Sequence, residues 1–208
     1  PTGHTNYIDA HNTIENKGSI MKFISARLGV MSALVLLAVM SRFLPHPPNF
    51  TALSAVALFS GACFDRKHLA FIVPFAAMFL SDAILEITTG WGFHSNMLAV
   101  YASFGLIVLL SQKINRSRRF NTIAASVPAS TAIFFIITNF SVWATGAFYP
   151  HTAEGLVACY VAAIPFALNQ LAGDAFFTGA LFGVWSLAKM AYPVLRPQIL
   201  HSNETNLI

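Results

Sequence analysis

The sequence predicts an all-α membrane protein, a polytopic bundle of six transmembrane helices with both termini in the cytoplasm. Three observations lead to this prediction. Of the 208 residues, 56% are hydrophobic and only 10% are charged, whereas a soluble domain usually carries about 25% charged residues. The apolar residues fall into long runs. The Lys and Arg residues fall almost entirely into alternate gaps between those runs, which is how membrane topology is encoded.

Six apolar runs are candidates for membrane spans, since a span needs about 20 mostly apolar residues. They cover about 24–44, 50–64, 68–88, 96–112, 121–146 and 164–190, and the second of them is short. A seventh apolar piece, at 155–166, is too short to cross a bilayer and is bracketed by Pro150 and Pro165. Because proline interrupts helical hydrogen bonding, we expect this piece to be a re-entrant or interfacial segment leading into the last span.

The positions of the basic residues predict which loops share a side. The residues that fall on one side if both termini are cytoplasmic are Lys22, Arg27, Arg66, Lys67, Lys113, Arg116, Arg118, Arg119, Lys189 and Arg196. The opposite loops, at about 45–49, 89–95 and 147–163, contain no Lys or Arg. Since cytoplasmic loops are enriched in basic residues, the second group of loops is predicted to face outward. Arg42 is the exception, and we expect it to snorkel or to pair with an acid inside the membrane.

The chain divides into a polar tail at 1–20, a transmembrane domain at 21–195 and a cytoplasmic tail at 196–208. The first 20 residues lack periodicity and resemble a tag or a disordered segment, and Met21 resembles a translation start. Walker A, HExxH and GxSxG motifs are absent from the sequence, as is the CxxC spacing typical of metal sites. We therefore expect no enzymatic activity, no cofactor and no nucleic-acid partner.

Two carboxylates lie in the middle of apolar runs and are the most informative residues in the chain. Asp82 lies in FIVPFAAMFLSDAILEI and Asp174 lies in IPFALNQLAGDAFFTGALFGVW. A carboxylate inside a membrane span costs roughly 2.5–3.5 kcal/mol on insertion scales, so it usually has a partner or a function.

Other polar residues at membrane depth share the outward half with these two aspartates. The candidate ligand-binding residues are His46, Asn49, Asp82, Glu86, His94, Asn139, Trp143, Tyr149, Gln170 and Asp174. One interpretation is that these side chains hydrogen-bond between helices and specify packing. The other is that they line a polar cavity open to the outside, in which the aromatic residues stack on a ring-containing ligand. The aromatic residues would equally suit an interfacial belt.

A stripe of small residues, Ser25, Gly29 and Ala33, follows one face of the first predicted span. Small residues at this spacing let another helix approach closely. The stripe predicts either packing within the bundle or a docking face for a second membrane subunit. Ala57 and Gly61 repeat the pattern on the second span.

Several short strings together resemble a bacterial family of six-helix membrane proteins regarded as substrate-binding (S) components of energy-coupling factor transporters. The strings are the run Arg42–Thr51 (RFLPHPPNFT), Ser81-Asp82, Val100-Tyr101, Thr138-Asn139-Phe140 with Trp143, Gly155-Leu156 with Cys159-Tyr160, Pro165-Phe166 and Gly173-Asp174. The resemblance extends from about residue 27 to residue 190.

The resemblance implies a fold, a site and partners. S components are bacterial cytoplasmic-membrane proteins with six helices, and they capture vitamins or metal ions near the outer face. A T subunit with two ATPases powers release inside, and a small-residue stripe on the first helix docks the T subunit, which Ser25, Gly29 and Ala33 would match. Some S-component-like proteins take up cobalamin through a cysteine that ligates cobalt, so Cys63 or Cys159 is a candidate cobalt ligand.

Two other functions remain open from the sequence. A proton- or cation-coupled secondary carrier would use Asp82 and Asp174 as titrating groups. A non-catalytic accessory subunit of a membrane complex would use the small-residue stripes for assembly, and its polar residues would serve packing alone.

Overall fold

The computed structural model describes residues 25–114 and 120–196. The predictions for 1–20, for Lys22, Arg116, Arg118 and Arg119, and for nearly all of the C-terminal tail lie outside these ranges. Within them every secondary-structure element is a helix, and no strand occurs. The predicted all-α class is confirmed for this part of the chain.

Six α-helices follow one another along the chain. Helix α1 covers 25–40 and continues as a 3-10 turn, Ser41–Phe43; the others are α2 Leu53–Cys63, α3 Lys67–Thr89, α4 Met97–Ile114, α5 Phe120–Thr145 and α6 Ala153–Ala191. A second 3-10 turn, Pro193–Leu195, follows α6. The observed bounds lie within about three residues of the predicted spans, apart from the start of α6 and the end of α1.

Four segments are long and apolar enough to cross a membrane: Ser25–Phe43, α3, α5 and α6. Their outward faces carry large apolar side chains, among them Phe79, Ile87 and Leu168, which are more than half exposed. So much exposed apolar surface is compatible with lipid and not with water. The structure therefore describes a helical membrane protein, in which α2 and α4 are shorter than these four candidate spans.

Helix α2 is the core of the bundle. All 11 of its residues are buried, and α3, α4, α5 and α6 pack against it. Gly61 allows the closest approach, because a Cβ atom there would overlap the Ser111 hydroxyl and the Val108 carbonyl of α4. The Ala57–Gly61 pattern thus serves packing within the bundle, as one of the two interpretations predicted.

Apart from Arg42, the described basic residues at the start of α1, in the loop before α3 and at the end of α6 meet at one end of the bundle. Arg27 pairs with Asp65 at 3.2 Å, so the start of α1 meets the loop between α2 and α3. Arg27 and Lys189 both lie over the ring of Trp185, at 5.8 and 5.7 Å from its centroid. The first, third and last helices therefore bring their basic ends together.

Helix α6 differs from the prediction at its start. The piece at 155–166 is not a separate re-entrant segment, because it forms one continuous helix of 39 residues with the last span. Pro165 lies inside this helix, as Pro74 and Pro128 lie inside α3 and α5. Proline is tolerated in membrane helices because neighbouring groups satisfy the backbone it frees.

Contacts between α5 and α6 indicate that α6 does not run straight beside α5. The Tyr160 hydroxyl donates to the Ile136 carbonyl at 2.6 Å, and the Thr131 hydroxyl donates to Asp174 at 2.7 Å. At 1.5 Å per residue, the two α6 positions are separated by about 21 Å of helix and the two α5 positions by about 7.5 Å. Pro165, a residue type at which helices commonly kink, lies between the two contacts.

Candidate functional site

A cavity of about 370 Å³ opens at the end of the bundle opposite Arg27 and Lys189. It lies between the turn after α1, the loops that follow α1 and α3, and the helices α2, α4, α5 and α6. Its lining residues are Arg42, Asn49, Thr51, Leu53, Ser54, His94, Asn96, Val100, Phe104, Phe134, Phe135, Thr138, Asn139, Val142, Ala163, Phe166, Ala167 and Gln170. Of the ten predicted ligand-binding residues, the structure places Asn49, His94, Asn139 and Gln170 in this lining.

Amide and hydroxyl groups form the polar part of the lining. Asn139 donates its Nδ2 to the Phe135 carbonyl at 2.8 Å, and this internal bond orients the side-chain amide. Gln170 donates its Nε2 to the Ser54 hydroxyl at 3.3 Å, which joins α6 to α2 at the cavity floor. These two bonds hold the amide groups in place before any ligand arrives.

Phenylalanines form the apolar part of the lining. Phe104 of α4 and Phe134 of α5 stack in a tilted arrangement with centroids 5.3 Å apart, and Phe135 and Phe166 lie nearby in the lining. A cavity that combines apolar rings with a few fixed polar groups is the usual form of a small-molecule site.

The proline-rich loop after α1 forms one wall of the cavity. Asn49 has φ of 63°, a left-handed conformation that asparagine tolerates better than most residues, and it tightens the turn before α2. The loop rests on α6, because Asn169 donates to the Pro48 carbonyl at 3.1 Å and Gly173 lies directly against Phe50 and Thr51. Because Pro45, Pro47 and Pro48 also restrict the backbone of this loop, it forms a stiff wall of the cavity.

Arg42 and Asp82 form an ion pair at the cavity edge. The Arg42 Nη1 donates to the carboxylate of Asp82 and to the Ser81 hydroxyl, and the Tyr101 hydroxyl donates to the second carboxylate oxygen at 2.7 Å. The expectation that Arg42 pairs with an intramembrane acid is confirmed. Asp82 is buried behind Arg42, so the arginine and not the aspartate faces the cavity.

Asp174 lies one layer below the cavity lining. It is completely buried, it accepts from the Thr131 hydroxyl, and Ser54 and Gln170 of the cavity floor lie beside it. A ligand in the cavity would reach Asp174 only through these two side chains. The prediction that Asp174 lines the cavity is therefore not met directly.

Four of the predicted ligand-binding residues serve other roles or lie elsewhere. Glu86 accepts from the backbone N–H groups of Gly92 and Phe93 at 3.0 and 2.9 Å and so closes the loop after α3. Trp143 donates its Nε1 to the Pro150 carbonyl at 3.0 Å. His46 is exposed, and neither it nor Tyr149 belongs to the cavity lining.

Sequence reasoning missed several lining residues. Thr51, Ser54, Asn96 and Thr138 line the cavity but lack the charge or unusual context that draws attention in a sequence. Thr138 precedes Asn139, and Asn96 lies two residues after His94, so proximity to predicted residues was the available signal. Ser54 carried no signal, because serine is common in buried membrane helices.

The two cysteines lie outside the cavity lining. Cys63 faces a separate pocket of about 140 Å³ at the basic end, beside Trp185 and Lys189. Cys159 is buried with its sulfur 3.5 Å from the Asn139 carbonyl. The geometry therefore gives neither thiol access to a ligand in the outer cavity. Within 25–114 and 120–196, no three His, Cys, Asp or Glu residues lie close enough to hold a metal ion.

Ser25, Gly29 and Ala33 are exposed on the outer surface of α1. A Cβ atom added at Gly29 would meet no described atom within 4 Å. Packing of this stripe within the bundle, one of its two predicted roles, is therefore wrong for the described part of the chain.

The fold and the cavity define a class, a helical membrane protein with a small-molecule-sized polar cavity at one end. Residues 22–195 match a family of unknown function, DUF6580, and the chain belongs to that family. Neither the curated proteins nor the solved structures give a significant match.

Proposed function

We propose that this protein captures a small vitamin- or cofactor-type ligand from the outer side of a bacterial cytoplasmic membrane, in the manner of an S component. The observation that carries the proposal is the cavity at the end of the bundle opposite Arg27 and Lys189. Its volume falls within the range of about 300–1,000 Å³ that is usual for small-molecule sites.

The lining indicates the chemistry of the ligand. Four phenylalanines offer faces for an aromatic or heteroaromatic ring, and Asn139, Gln170 and Asn96 offer amides for its polar edges. Arg42 adds a cation whose charge is balanced by Asp82, and its recorded hydrogen bonds all involve Nη1. The remaining guanidinium N–H groups suit a carboxylate or carbonyl oxygen of the ligand.

The topology proposed from the sequence accompanies this function. All six helices would be transmembrane, and both termini would lie in the cytoplasm together with the end of the bundle that carries Arg27 and Lys189. The exposed stripe Ser25, Gly29 and Ala33 would then be available in the bilayer to a T subunit that acts with two ATPases. The geometry gives cobalamin no support as the ligand, because neither Cys63 nor Cys159 reaches the cavity lining.

The experiment that tests the proposal is native mass spectrometry of the protein purified gently from its host membrane. We expect a retained small molecule with the wild-type chain and with Ala162→Phe, which places the new ring on the exposed face of α6. Ala163→Phe, one residue further on, places the same ring in the cavity and should abolish retention. Equal retention by both variants would show that the ligand binds elsewhere.

A second result would redirect the proposal. A wild-type protein that carries no small molecule and binds none from a panel of vitamins would contradict ligand capture. If it then purified in fixed stoichiometry with another membrane protein, the accessory-subunit function would be favoured.

A further inference from the structure

Asp174 is a buried carboxylate without a described counter-charge. Its exposed fraction is 0%, and the side chains recorded around it are Thr131 from α5, Ser54 from α2 and Gln170 from α6, all uncharged. Asp82 is nearly as buried but has Arg42 beside it. A lone charge in an apolar interior is costly, so a positive species beside Asp174 would stabilise the folded protein.

Two buried side-chain oxygen atoms on this part of α6 lack hydrogen-bond partners among the described residues. The Oδ1 of Asp174 and the hydroxyl of Thr178 are both buried and unpartnered among the described residues. Thr178 lies four residues after Asp174 on α6, so the two side chains share a helix face. Ser54 and Gln170 lie beside the carboxylate without donating to Oδ1 in hydrogen-bonding geometry. Two independent oxygen atoms therefore lack the partner that buried polar atoms normally have.

The chemistry of these groups specifies the class of ligand. Carboxylate, hydroxyl and amide oxygens bind hard cations, and no sulfur or imidazole is among them. The single negative charge of Asp174 balances one positive charge, whereas a divalent ion would leave an excess charge buried. Among the described residues, the charged or titratable groups of the cavity lining above are His94 and Arg42, and Arg42 is paired with Asp82 behind it.

We propose that Asp174 anchors a buried site for a hard monovalent cation, Na⁺ or a proton, directly beneath the outer cavity. Thr131 and Thr178 complete the site from α5 and α6. Ser54 and Gln170 border both this site and the cavity, so cation occupancy would fix the two side chains that a ligand touches. Only this coupling rests on the proposed function; the cation site itself does not. By linkage, each ligand would then tighten the binding of the other.

The test measures the cation without any organic ligand. Thermal unfolding of the full chain in detergent is followed by tryptophan fluorescence in choline chloride, KCl and NaCl at equal ionic strength and mildly alkaline pH. For a sodium site, we expect saturable stabilisation of the wild-type protein by Na⁺, reaching about 100-fold in the apparent unfolding constant when Na⁺ is 100 times its Kd. Asp174→Asn should remove the response, and Asp65→Asn, an exposed aspartate, should keep it.

The proton arm uses the same proteins in sodium-free buffer. For a proton site, the stability of wild type relative to Asp174→Asn should increase as the pH falls, with no specific response to Na⁺. Thr178→Val removes one oxygen without adding bulk and should shift the sodium response to higher concentrations, which supplies a readout if Asp174→Asn cannot be purified. A wild-type protein with neither response, or equal responses in wild type and Asp174→Asn, would overturn the inference. If the cation site failed this test, the comparison of ligand retention by Ala162→Phe and Ala163→Phe would still test ligand capture separately.

Discussion

Removing Arg42 from the Arg42–Asp82 ion pair should lower the free energy of unfolding strongly, whereas removing the charge of Asp82 should lower it less. Arg42→Met leaves the Asp82 carboxylate without its counter-charge, in a residue that is only 6% exposed. The Tyr101 hydroxyl then remains as the described hydrogen-bond donor to Asp82 from another helix. Removing one partner of a buried ion pair costs about 3–5 kcal/mol, and the retained Tyr101 bond places the expectation near 3 kcal/mol. Asp82→Asn should cost less, because Arg42 borders the open cavity and water can solvate it.

The double variant makes the reasoning testable. Arg42→Met with Asp82→Asn removes both charges and keeps an oxygen to accept from Tyr101, so it should be about 2 kcal/mol more stable than Arg42→Met alone. The assay is denaturant unfolding in mixed micelles, with Arg66→Gln as a control expected to lose no more than about 0.5 kcal/mol because that arginine is exposed. A double variant that loses at least the sum of the two single losses would refute the idea that the pair is held together by mutual charge neutralisation.

Three further predictions concern packing, the outer loop and topology. Gly61→Ala should cost about 1–3 kcal/mol in unfolding free energy because its Cβ overlaps α4, whereas Gly179→Ala, which meets only open space, should be neutral or slightly stabilising. Glu86→Ala should lose about 1.5–3 kcal/mol because two backbone N–H groups lose a charged acceptor, and Glu86→Gln should recover part of it. In intact cells, a membrane-impermeant maleimide should label the Trp91→Cys variant. It should label the Asp65→Cys variant only after the cells are permeabilised. The native Cys63 and Cys159 should react little because both are buried. Labelling of both positions from outside, or of neither, would contradict the proposed orientation.

The sequence predicted the helices well, since an apolar run in a membrane protein must satisfy its backbone internally and has few alternatives to a helix. The bounds of α3, α4 and α5 show this most clearly. The helix break predicted near Pro165 is wrong, because Pro165 lies inside α6 just as Pro74 and Pro128 lie inside α3 and α5. The local sequence does not show whether the neighbours of a proline will satisfy the freed carbonyl, and that depends on tertiary packing.

The site was predicted in location but only in part by residue. Polarity at membrane depth indicated the end of the bundle at which the cavity opens, and it indicated Asn139 and Gln170, which lie in the lining. It could not separate side chains that face the cavity from those that support loops, because Glu86 and Trp143 lie at similar depth but bond to the backbone. That distinction depends on helix rotation and on loop paths, which polarity alone does not encode.

The burial of α2 has a consequence for how the protein enters a membrane. An insertion channel releases a helix into lipid when about 20 apolar residues favour that environment. Helix α2 offers 11 residues and in the finished bundle touches other helices on every side. It would therefore leave the channel together with a neighbour, and its final position would be reached only after α4, α5 and α6 had been synthesised. Truncation after α3 should accordingly leave α2 without its contacts to α4, α5 and α6 and make the nascent chain a substrate for membrane quality-control proteases.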